Sequence, residues 1–245
     1  MMRNIKLTIA YDGGKYHGWQ IQQNADTIQA RLKEAIRRVT GETVVPVGCG
    51  RTDAGVHAYQ YVCNFKTNSM IPADRFPYAL NTALPNDIVC SGACETSENF
   101  HSNSDAVRKC YVYRILNRTF PDPFLNGRVW HYKTPLDIQA MKQAAGAFVG
   151  THDFVGFASA GFTVKTTVRT IYSLDVEKTG DEITIRVTGN GFLYNMVRII
   201  VGTLVFAGIG KYKPEDMEGI IASGDRKRAG ITAPAEGLYL WGVEY

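Results

Sequence analysis

The chain has 245 residues, of which 45% are hydrophobic and 20% charged, a composition typical of a globular protein with a sizeable core. Its 27 Lys and Arg residues against 23 acidic residues give a net charge of +4, which is compatible with an RNA partner but does not argue for one. The five cysteines contain no Cys-x-x-Cys pair and the histidines are scattered. The sequence therefore predicts reduced thiols in a cytoplasmic protein and no metal site.

No segment of the sequence is typical of a membrane span or a targeting signal. The first residues run directly into a strand pattern, which leaves no room for a signal peptide. The most apolar run, 192–209, is interrupted by Asn195 and Arg198, so we interpret it as a core helix. We therefore expect no membrane partner.

The first half of the chain predicts the order strand, helix, strand, strand, helix, strand. Ile5, Leu7 and Ile9 alternate with polar residues, which predicts the first strand. A helix is predicted from Thr27 to Thr40, where an apolar stripe at helical spacing begins at a capping residue and stops before a glycine. The other predicted elements are strands over 44–47 and from residue 59 onward, a helix over 73–83 and a strand over 87–96.

The strand that begins at Tyr59 has the most regular pattern. Tyr59, Tyr61, Cys63 and Phe65 alternate with residues that are mostly polar. A period of two is typical of a strand with one buried and one solvated face. The sequence therefore predicts that these four side chains share a face.

The second half repeats the order of the first. The predicted elements are a strand over 106–116, a helix over 136–148, a hairpin of 169–177 with 182–188, helices over 192–206 and 214–222, and a strand over 238–244. Two successive β-α-β-β-α-β units predict an α+β fold of two ferredoxin-like halves, residues 1–103 and 104–245. Each half would join an antiparallel sheet with helices on one face. The other face would then form a cleft or bind RNA.

The glycine-rich segment Gly48 to Ala58 is the best candidate for chemistry. Its glycines allow backbone conformations that would hold Arg51 and Asp53 in an unusual arrangement. The sequence contains no phosphate-binding loop, no dinucleotide fingerprint and no serine nucleophile elbow, so no cofactor is expected. By elimination, Asp53 is the best catalytic candidate, although a tight turn with Asp53 capping its own backbone explains the same residues.

One carboxylate beside one Arg is an unusual set for hydrolysis, because glycosidases generally use two carboxylates. A single carboxylate suffices where the leaving group stays in the site and returns, since no water has to be activated. An aromatic face and a cation would complete such a site. Tyr111 and Tyr113 share a strand face with Lys109 beside them, and Arg198 projects from an apolar helix, where it needs a carboxylate partner. A packing role for Tyr111 and a purely structural salt bridge for Arg198 stay open on this reasoning.

Five segments of this sequence resemble motifs of one enzyme family. Gly50-Arg51-Thr52-Asp53-Ala54-Gly55-Val56-His57-Ala58 resembles the active-site motif of the TruA-type tRNA pseudouridine synthases. Lys109, Tyr111 and Tyr113 are similar to the second motif of that family, and Asn195-Met196-Val197-Arg198 is similar to the third. Tyr11-Asp12-Gly13 with Gly18-Trp19-Gln20 resembles its opening segment, and Gly237-Leu238-Tyr239-Leu240 its last strand. The matches occur in the family's order along nearly the whole chain, so the resemblance is specific.

The resemblance implies a cofactor-free homodimer that isomerises uridines at positions 38 to 40 of the tRNA anticodon arm. It implies that Asp53 is the essential carboxylate and that Tyr111 stacks on the target base. It also implies that Arg198 pairs with and positions Asp53, and that Arg51 enters the space left by the flipped nucleotide. The chemical role of Asp53 stays open between attack on C1′ and removal of the C2′ proton.

The chain departs from the family pattern at three places. Asn103 stands where the family usually has Arg, which bears on an RNA contact. Tyr59 and Tyr61 replace smaller or more polar residues, which bears on packing beneath the glycine-rich loop. Gly14 replaces a usual Ser or Thr.

Two other functions compete with the isomerase hypothesis. A tandem ferredoxin-like protein could grip structured RNA without altering it, and Asp53 would then be dispensable. An RNA or nucleoside glycosylase could use the same carboxylate, and free uracil would then be the product.

Overall fold

Residues 2–161 and 164–245 are described by a computed structural model of the chain. The chain divides into two units, which we call unit 1 (Met1–Val107 with Tyr239–Tyr245) and unit 2 (Arg108–Leu238). Ten strands and five α-helices occur in the described residues, so the fold is of the mixed α+β class. No helix within 2–161 and 164–245 has the length and apolarity needed to cross a membrane.

Unit 1 follows the predicted element order. It contains β1 (Arg3–Tyr11), α1 (Ile28–Thr40), β2 (Val47–Gly48), β3 (His57–Thr67), α2 (Phe76–Asn81), β4 (Ile88–Thr96) and β10 (Leu238–Glu244). Its strands lie in the order β4-β1-β3-β10, and β2 pairs with β3. β1 is antiparallel to β3 and β4, whereas β10 is parallel to β3.

The predicted division between residues 103 and 104 assigns the last strand to the second half, whereas residues Tyr239–Tyr245 lie in unit 1. Tyr239 pairs with His57 and Leu240 with Ala58, so β10 extends the sheet of unit 1. The backbone N–H of Val107 also donates to the carbonyl of Glu244, at 2.8 Å. The apolar pattern of a strand shows where the strand lies in the chain, but it does not show which other strand it pairs with.

Helix α1 confirms the prediction from its sequence signals. The Thr27 side chain accepts a hydrogen bond from the N–H of Ala30, which caps the first turn. Gly41 follows the helix with φ of 75°, a left-handed conformation that favours glycine. The apolar stripe is fully buried and consists of Ile28, Leu32, Ala35 and Ile36.

Strand β3 corrects two predictions. Ile9 pairs with Tyr61 but Tyr11 pairs with Ala58, so Tyr59 and Gln60 together oppose one residue of β1. This β-bulge breaks the period of two and puts Tyr59 on the face opposite Tyr61. The prediction that Tyr59 shares a face with Tyr61 is therefore wrong.

The strand is also buried on both faces rather than on one. Asn64 is 5% exposed because its polar atoms are satisfied inside the protein. Its amide donates to Asn4 Oδ1 at 3.0 Å, and its Oδ1 accepts from the backbone N–H and hydroxyl of Ser102 at 2.9 and 2.6 Å. Burial of Asn64 is thus compensated by hydrogen bonds from distant parts of the chain.

Unit 2 contains two short strands that periodicity did not indicate. Its elements are β5 (Arg108–Leu116), β6 (Trp130–His131), α3 (Ile138–Gly146), β7 (Gly150–Asp153), β8 (Val168–Thr179), β9 (Glu182–Gly189), α4 (Met196–Gly208) and α5 (Met217–Ala222). The strands lie in the order β5-β9-β8-β7, with β6 beside β5. The predicted hairpin of 169–177 with 182–188 is confirmed as β8 and β9.

Helix α4 begins four residues later than predicted. Asn195 has φ of 62°, which ends any helical continuity with Phe192, and the helix starts at Met196. The sequence shows that the apolar run is interrupted at Asn195, but the run does not indicate that the helix begins only after this residue. Helix α3 packs against α4 and β8, and Gly208 lies against Met141 at the contact between the two helices.

Candidate active site

The loop that carries Arg51 and Asp53 joins β2 to β3 in unit 1 and contains a tight turn. The Asp53 carbonyl accepts a hydrogen bond from the N–H of Val56 at 3.2 Å. Gly55, at the third position of this turn, has φ of 79°, which a residue with a side chain rarely adopts. The backbone turn expected from the sequence is therefore present at Asp53.

The opening segment of the chain holds this loop in place. The N–H of Trp19 donates to the Thr52 carbonyl at 3.1 Å, and the N–H of Gly55 donates to the Tyr16 carbonyl at 3.2 Å. The hydroxyls of Tyr11 and Thr52 are hydrogen-bonded at 2.8 Å in a buried position. Two backbone bonds and one side-chain bond thus fix the residues on both sides of Asp53.

Gly18 makes this close approach of the two segments possible. A Cβ built at Gly18 would lie less than 3.0 Å from the Thr52 carbonyl oxygen and 3.1 Å from the Asp53 carbonyl carbon. Its φ of 83° is also left-handed. A residue with a side chain at this position would have to displace the loop that carries Asp53.

Two aromatic side chains support the loop from below. The Tyr61 hydroxyl donates to the Gly50 carbonyl, and its ring stacks on Trp19 with centroids 4.2 Å apart. Tyr61 is fully buried and Trp19 is 3% exposed. The expectation that Tyr61 affects packing beneath the loop is confirmed, whereas Tyr59 does not take part in this packing.

The end of the motif is attached to the opening segment as well. His57 is buried, and its Nδ1 lies 3.0 Å from a carboxylate oxygen of Asp12 and 3.1 Å from the backbone nitrogen of Gly13. The same Asp12 oxygen accepts from the N–H of Gly14 at 3.0 Å. The loop is therefore anchored both before and after its turn.

The two predicted site residues of the loop differ in the accessibility of their side chains. Arg51 is exposed, and Asp53 is intermediate between buried and exposed. Between them, Thr52 is buried and bonded to Tyr11. A fixed backbone with accessible side chains on either side of a buried anchor suits residues that must meet a substrate in a defined orientation.

In unit 2, Tyr111 lies on β5 opposite Val187 of β9 and is partly buried. Its ring meets Phe192 edge to face, with centroids 5.2 Å apart and planes at 85°. Such a contact restrains the orientation of both rings. Tyr111 is thus a held aromatic ring that is not fully covered.

Tyr113, two residues along the same strand, has a different environment. It is fully buried, and its hydroxyl donates to the Pro234 carbonyl at 2.7 Å. Burial raises the pKa of this phenol above its ordinary value of 10.0. Tyr113 is a packing residue, and of the two tyrosines Tyr111 is the one suited to contact a substrate.

Arg198, the third residue of α4, is oriented by two neutral acceptors. Its Nε donates to the Ala233 carbonyl at 2.7 Å, and its Nη1 donates to Asn195 Oδ1 at 2.8 Å. The Arg198 carbonyl in turn accepts from the N–H of Ala233 at 3.1 Å. These bonds fix the orientation of the planar guanidinium.

The segment that holds Arg198 is itself packed closely on α4. A Cβ at Gly202 would fall less than 3.0 Å from the Ile231 carbonyl oxygen, so only glycine fits this crossing. The N–H of Gly230 donates to Thr203 Oγ1 at 2.8 Å in the buried interior. The position of Ala233, and hence that of the Arg198 side chain, follows from this close packing.

Several residues that shape the site were not assigned a role from the sequence. The resemblance matched Tyr11, Trp19 and Asn195 without indicating that they fix the loop and the guanidinium. Arg169 gave no signal at all; its Nη1 donates to the Thr166 and Val168 carbonyls at 2.9 and 2.7 Å. Burial lowers the pKa of this guanidinium. The Arg169 side chain lies beside Gly191, the residue that precedes Phe192 in the chain.

The structure places the four predicted site residues in two groups. Arg51 and Asp53 lie on one anchored loop of unit 1. Tyr111 and Arg198 lie on β5 and α4 of unit 2. Over the described residues, no three His, Cys, Asp or Glu side chains are grouped as a metal ion would require.

Comparison with known proteins gives concordant matches. The family model described as tRNA pseudouridine synthase matches residues 7–103 and 144–245, which is most of the chain. Full-length relatives named tRNA pseudouridine synthase A are 51% identical in Thermoanaerobacter sp. (strain X514) and 52% identical in Acetivibrio thermocellus, each over 244 residues and 100% of both chains. A relative named tRNA pseudouridine synthase A 2 from Clostridium perfringens is 52% identical over the same span.

A solved Cbf5-Nop10-Gar1 complex is also similar, at 14% identity and a TM-score of 0.33, over 82% of this chain and 53% of that chain. This likeness is too low to carry an argument. The family model and the full-length relatives are sufficient, and the chain belongs to the tRNA pseudouridine synthase family.

Proposed function

We propose that this chain converts uridine to pseudouridine in the anticodon arm of tRNA, at positions 38 to 40, with Asp53 as the catalytic carboxylate. The observation that carries the proposal is the anchored loop, in which Thr52 and Gly55, on either side of Asp53, are bonded to the opening segment while Asp53 itself is partly exposed. Membership of the tRNA pseudouridine synthase family supports an isomerase that acts on tRNA.

The proposed reaction is balanced without a cofactor. The N1–C1′ bond of uridine breaks, the uracil turns, and a C5–C1′ bond forms. C5 loses a proton and N1 gains one, so substrate and product are isomers and no oxidant or reductant is needed. Because a detached base that meets solvent would be lost, the residues around it must also exclude water.

Asp53 has two possible roles in this sequence of steps. Its carboxylate either attacks C1′ and forms an ester that the returning base displaces, or removes the C2′ proton to eliminate the base. A slower reaction on 2′-deuterated uridine is expected for proton removal, whereas an unchanged rate favours attack. Both roles need the carboxylate held in one orientation, which the turn and its anchors supply.

Tyr111 and Arg51 are the proposed substrate-binding residues. The target uridine has to leave the loop stack, at a cost of a few kcal/mol that is lowest for an unpaired base. Stacking on an aromatic ring returns about 1–3 kcal/mol per base, and the Tyr111 ring is held by Phe192 for such a contact. The exposed Arg51 side chain would enter the space that the flipped nucleotide leaves.

Arg198 is the proposed positioning residue for the carboxylate. Its guanidinium is held in a fixed orientation by its bonds to Ala233 and Asn195. Arg198→Lys keeps the charge but cannot donate in the same fork, so we expect a lower kcat with little change in KM. A purely structural role would instead lower the unfolding free energy and leave kcat unchanged.

We also propose that the two units are ferredoxin-like halves, with helices on one sheet face and a cleft on the other, and that the protein is a cytoplasmic homodimer. The order β1-α1-β2-β3-α2-β4 in unit 1 supports the first statement. The mass of the particle in solution, measured by analytical ultracentrifugation, tests whether the protein is a dimer, because the mass of a single chain contradicts a dimer.

Product analysis on an anticodon-arm RNA tests the proposed function against its rivals. Carbodiimide mapping after incubation with the wild-type protein is expected to show pseudouridine at positions 38 to 40. Release of free uracil would point to a glycosylase instead. RNA that is bound but unaltered would leave only a binding module, and binding itself is expected to weaken steeply with salt.

A further inference from the structure

Four aromatic rings lie in sequence along β3 and β10 of unit 1, and we call them the aromatic ladder: His57, Tyr239, Tyr59 and Trp241. His57 and Tyr239 are stacked with centroids 4.7 Å apart, and Tyr239 and Tyr59 are stacked at 5.6 Å. Tyr59 and Trp241 meet at 4.6 Å with their planes tilted by 59°. The rings form a continuous series within one unit.

The aromatic ladder runs from the interior to the surface. His57 and Tyr239 are 2% and 5% exposed, whereas Tyr59 and Trp241 are 48% and 37% exposed. The β-bulge at Tyr59 produces this arrangement, because it turns the ring away from the face of Tyr61 and onto the face of His57. Neighbouring large aromatic side chains at a surface are unusual unless something binds there.

The chemistry of the ladder favours a nucleic acid base as its occupant. Tyr and Trp rings on adjacent strands of a sheet form the stacking platform by which RNA-binding sheets hold unpaired bases. The sequence of β3 contains no Asp or Glu, and its charged residue is Lys66, so a phosphate backbone meets no acidic side chain along this strand. A protein partner would equally accept aliphatic residues here, whereas a base is matched by flat aromatic rings.

The ladder is also continuous with the catalytic motif. Its first ring, His57, belongs to the same segment as Asp53, four residues along the chain. The anchors from Asp12 and Gly13 that hold His57 also belong to the opening segment that holds the loop. A base stacked on the outer rings would therefore be positioned by the same framework as the carboxylate.

We propose that Tyr59 and Trp241 form a stacking site for a second, unmodified base of the tRNA substrate, distinct from the base that is isomerised. This inference rests on the proposed function for the identity of the RNA.

The test measures an anticodon-arm RNA against Tyr59→Ala and Trp241→Ala at fixed salt. Stacking of one base on an exposed ring predicts that each substitution raises Kd and KM about fivefold to tenfold, while kcat at saturating RNA stays within about twofold. Tyr59→Phe keeps a flat ring and is expected to bind within about twofold of wild type. Tyr78→Ala is the matched control, since Tyr78 is 70% exposed on α2 and outside the ladder.

Fluorescence supplies a second readout that does not depend on turnover. Trp19 is 3% exposed and the partly exposed Trp130 lies outside the ladder in unit 2, whereas Trp241 is 37% exposed. Quenching of tryptophan emission by the RNA is expected in the wild type and is expected to be lost in Trp241→Phe. Thermal unfolding of each variant checks that the fold is kept.

The outcomes separate the ladder from the proposed function. Unchanged KM and Kd in both alanine variants, with pseudouridine still formed by the wild type, would overturn the ladder alone. A substitution that changes the number of chains in the particle, measured as its mass in solution, would show that a second copy of the chain covers the ladder, which also overturns it. Loss of RNA binding in the ladder variants, where the wild type makes no pseudouridine, would sustain the ladder and reject the proposed isomerase.

Discussion

Substitution of Gly18 by Ala separates backbone strain from displacement of the loop that carries Asp53. Gly18 and Gly41 both have left-handed backbones, with φ of 83° and 75°. A Cβ at Gly41 meets nothing within 4 Å, whereas a Cβ at Gly18 meets the Thr52 carbonyl oxygen at less than 3.0 Å. Gly41→Ala is therefore a matched control that contains the strain without the clash.

The two variants should differ in both stability and activity. The left-handed conformation costs a residue with a side chain about 1–2 kcal/mol, so both variants should lose that much unfolding free energy, and the clash in Gly18→Ala should cost about 1–3 kcal/mol more. In Gly18→Ala, relief of the clash has to move the Thr52–Asp53 backbone by a good fraction of an ångström. A misplacement of about 1 Å near reacting groups can cost about 100-fold in rate, or about 2.7 kcal/mol of transition-state stabilisation.

Urea unfolding and steady-state pseudouridine formation on the anticodon arm measure the two effects. We expect Gly41→Ala to keep kcat within about twofold and Gly18→Ala to lose about 100-fold. If Gly18→Ala keeps the kcat of Gly41→Ala, the opening segment does not position Asp53 and the reasoning from the anchored loop is refuted.

Three further substitutions have definite expected outcomes. Gly202→Ala puts a Cβ against the Ile231 carbonyl and should lower the unfolding free energy by about 3 kcal/mol. Gly219→Ala is the control, because Gly219 has open space around it in α5, and it should raise the unfolding free energy by about 0.5–1 kcal/mol. Urea unfolding compares the two variants, and equal effects would contradict the close packing of 230–233 on α4. Tyr61→Phe removes the bond to the Gly50 carbonyl and should cost about 1 kcal/mol of unfolding free energy together with part of kcat; an unchanged kcat would show that this bond does not position the loop. Tyr113→Phe should reduce the loss of unfolding free energy at alkaline pH. Burial raises the pKa of Tyr113 in the folded protein above 10.0, so above that pH the unfolded chain releases the phenol proton first. The unfolding free energy of the wild type then falls by up to about 1.4 kcal/mol per pH unit. Unfolding at pH 9 to 11 measures that slope, and an identical slope in the variant would contradict the assignment.

Elements whose signals are local were predictable from the sequence. Helix α1 has its cap at Thr27, its apolar stripe and its terminal glycine within a few residues of one another, and the hairpin of β8 and β9 turns around adjacent residues. The segment that carries Asp53 was also identifiable, because its glycines and its carboxylate are contiguous in the chain.

Features that depend on distant partners were not predictable in the same way. The bulge at Tyr59 exists only in the register of β3 against β1, and the partner of β10 lies about 180 residues earlier in the chain. The orientation of Arg198 is set by the carbonyl of Ala233, 35 residues away, and by the side-chain oxygen of Asn195. Periodicity describes which face of an element is apolar, and it contains no information about which distant carbonyl a side chain will meet.

Replacement of Asp53 tests the central claim most directly. General acid–base groups contribute about 10²–10⁴-fold to rate, so Asp53→Asn and Asp53→Ala are expected to form pseudouridine at least about 100-fold more slowly than the wild type. Both variants should bind the anticodon arm with a Kd within about threefold of wild type, since neither removes a cation or an aromatic ring. Pseudouridine formation by Asp53→Ala at close to the wild-type rate would contradict the account.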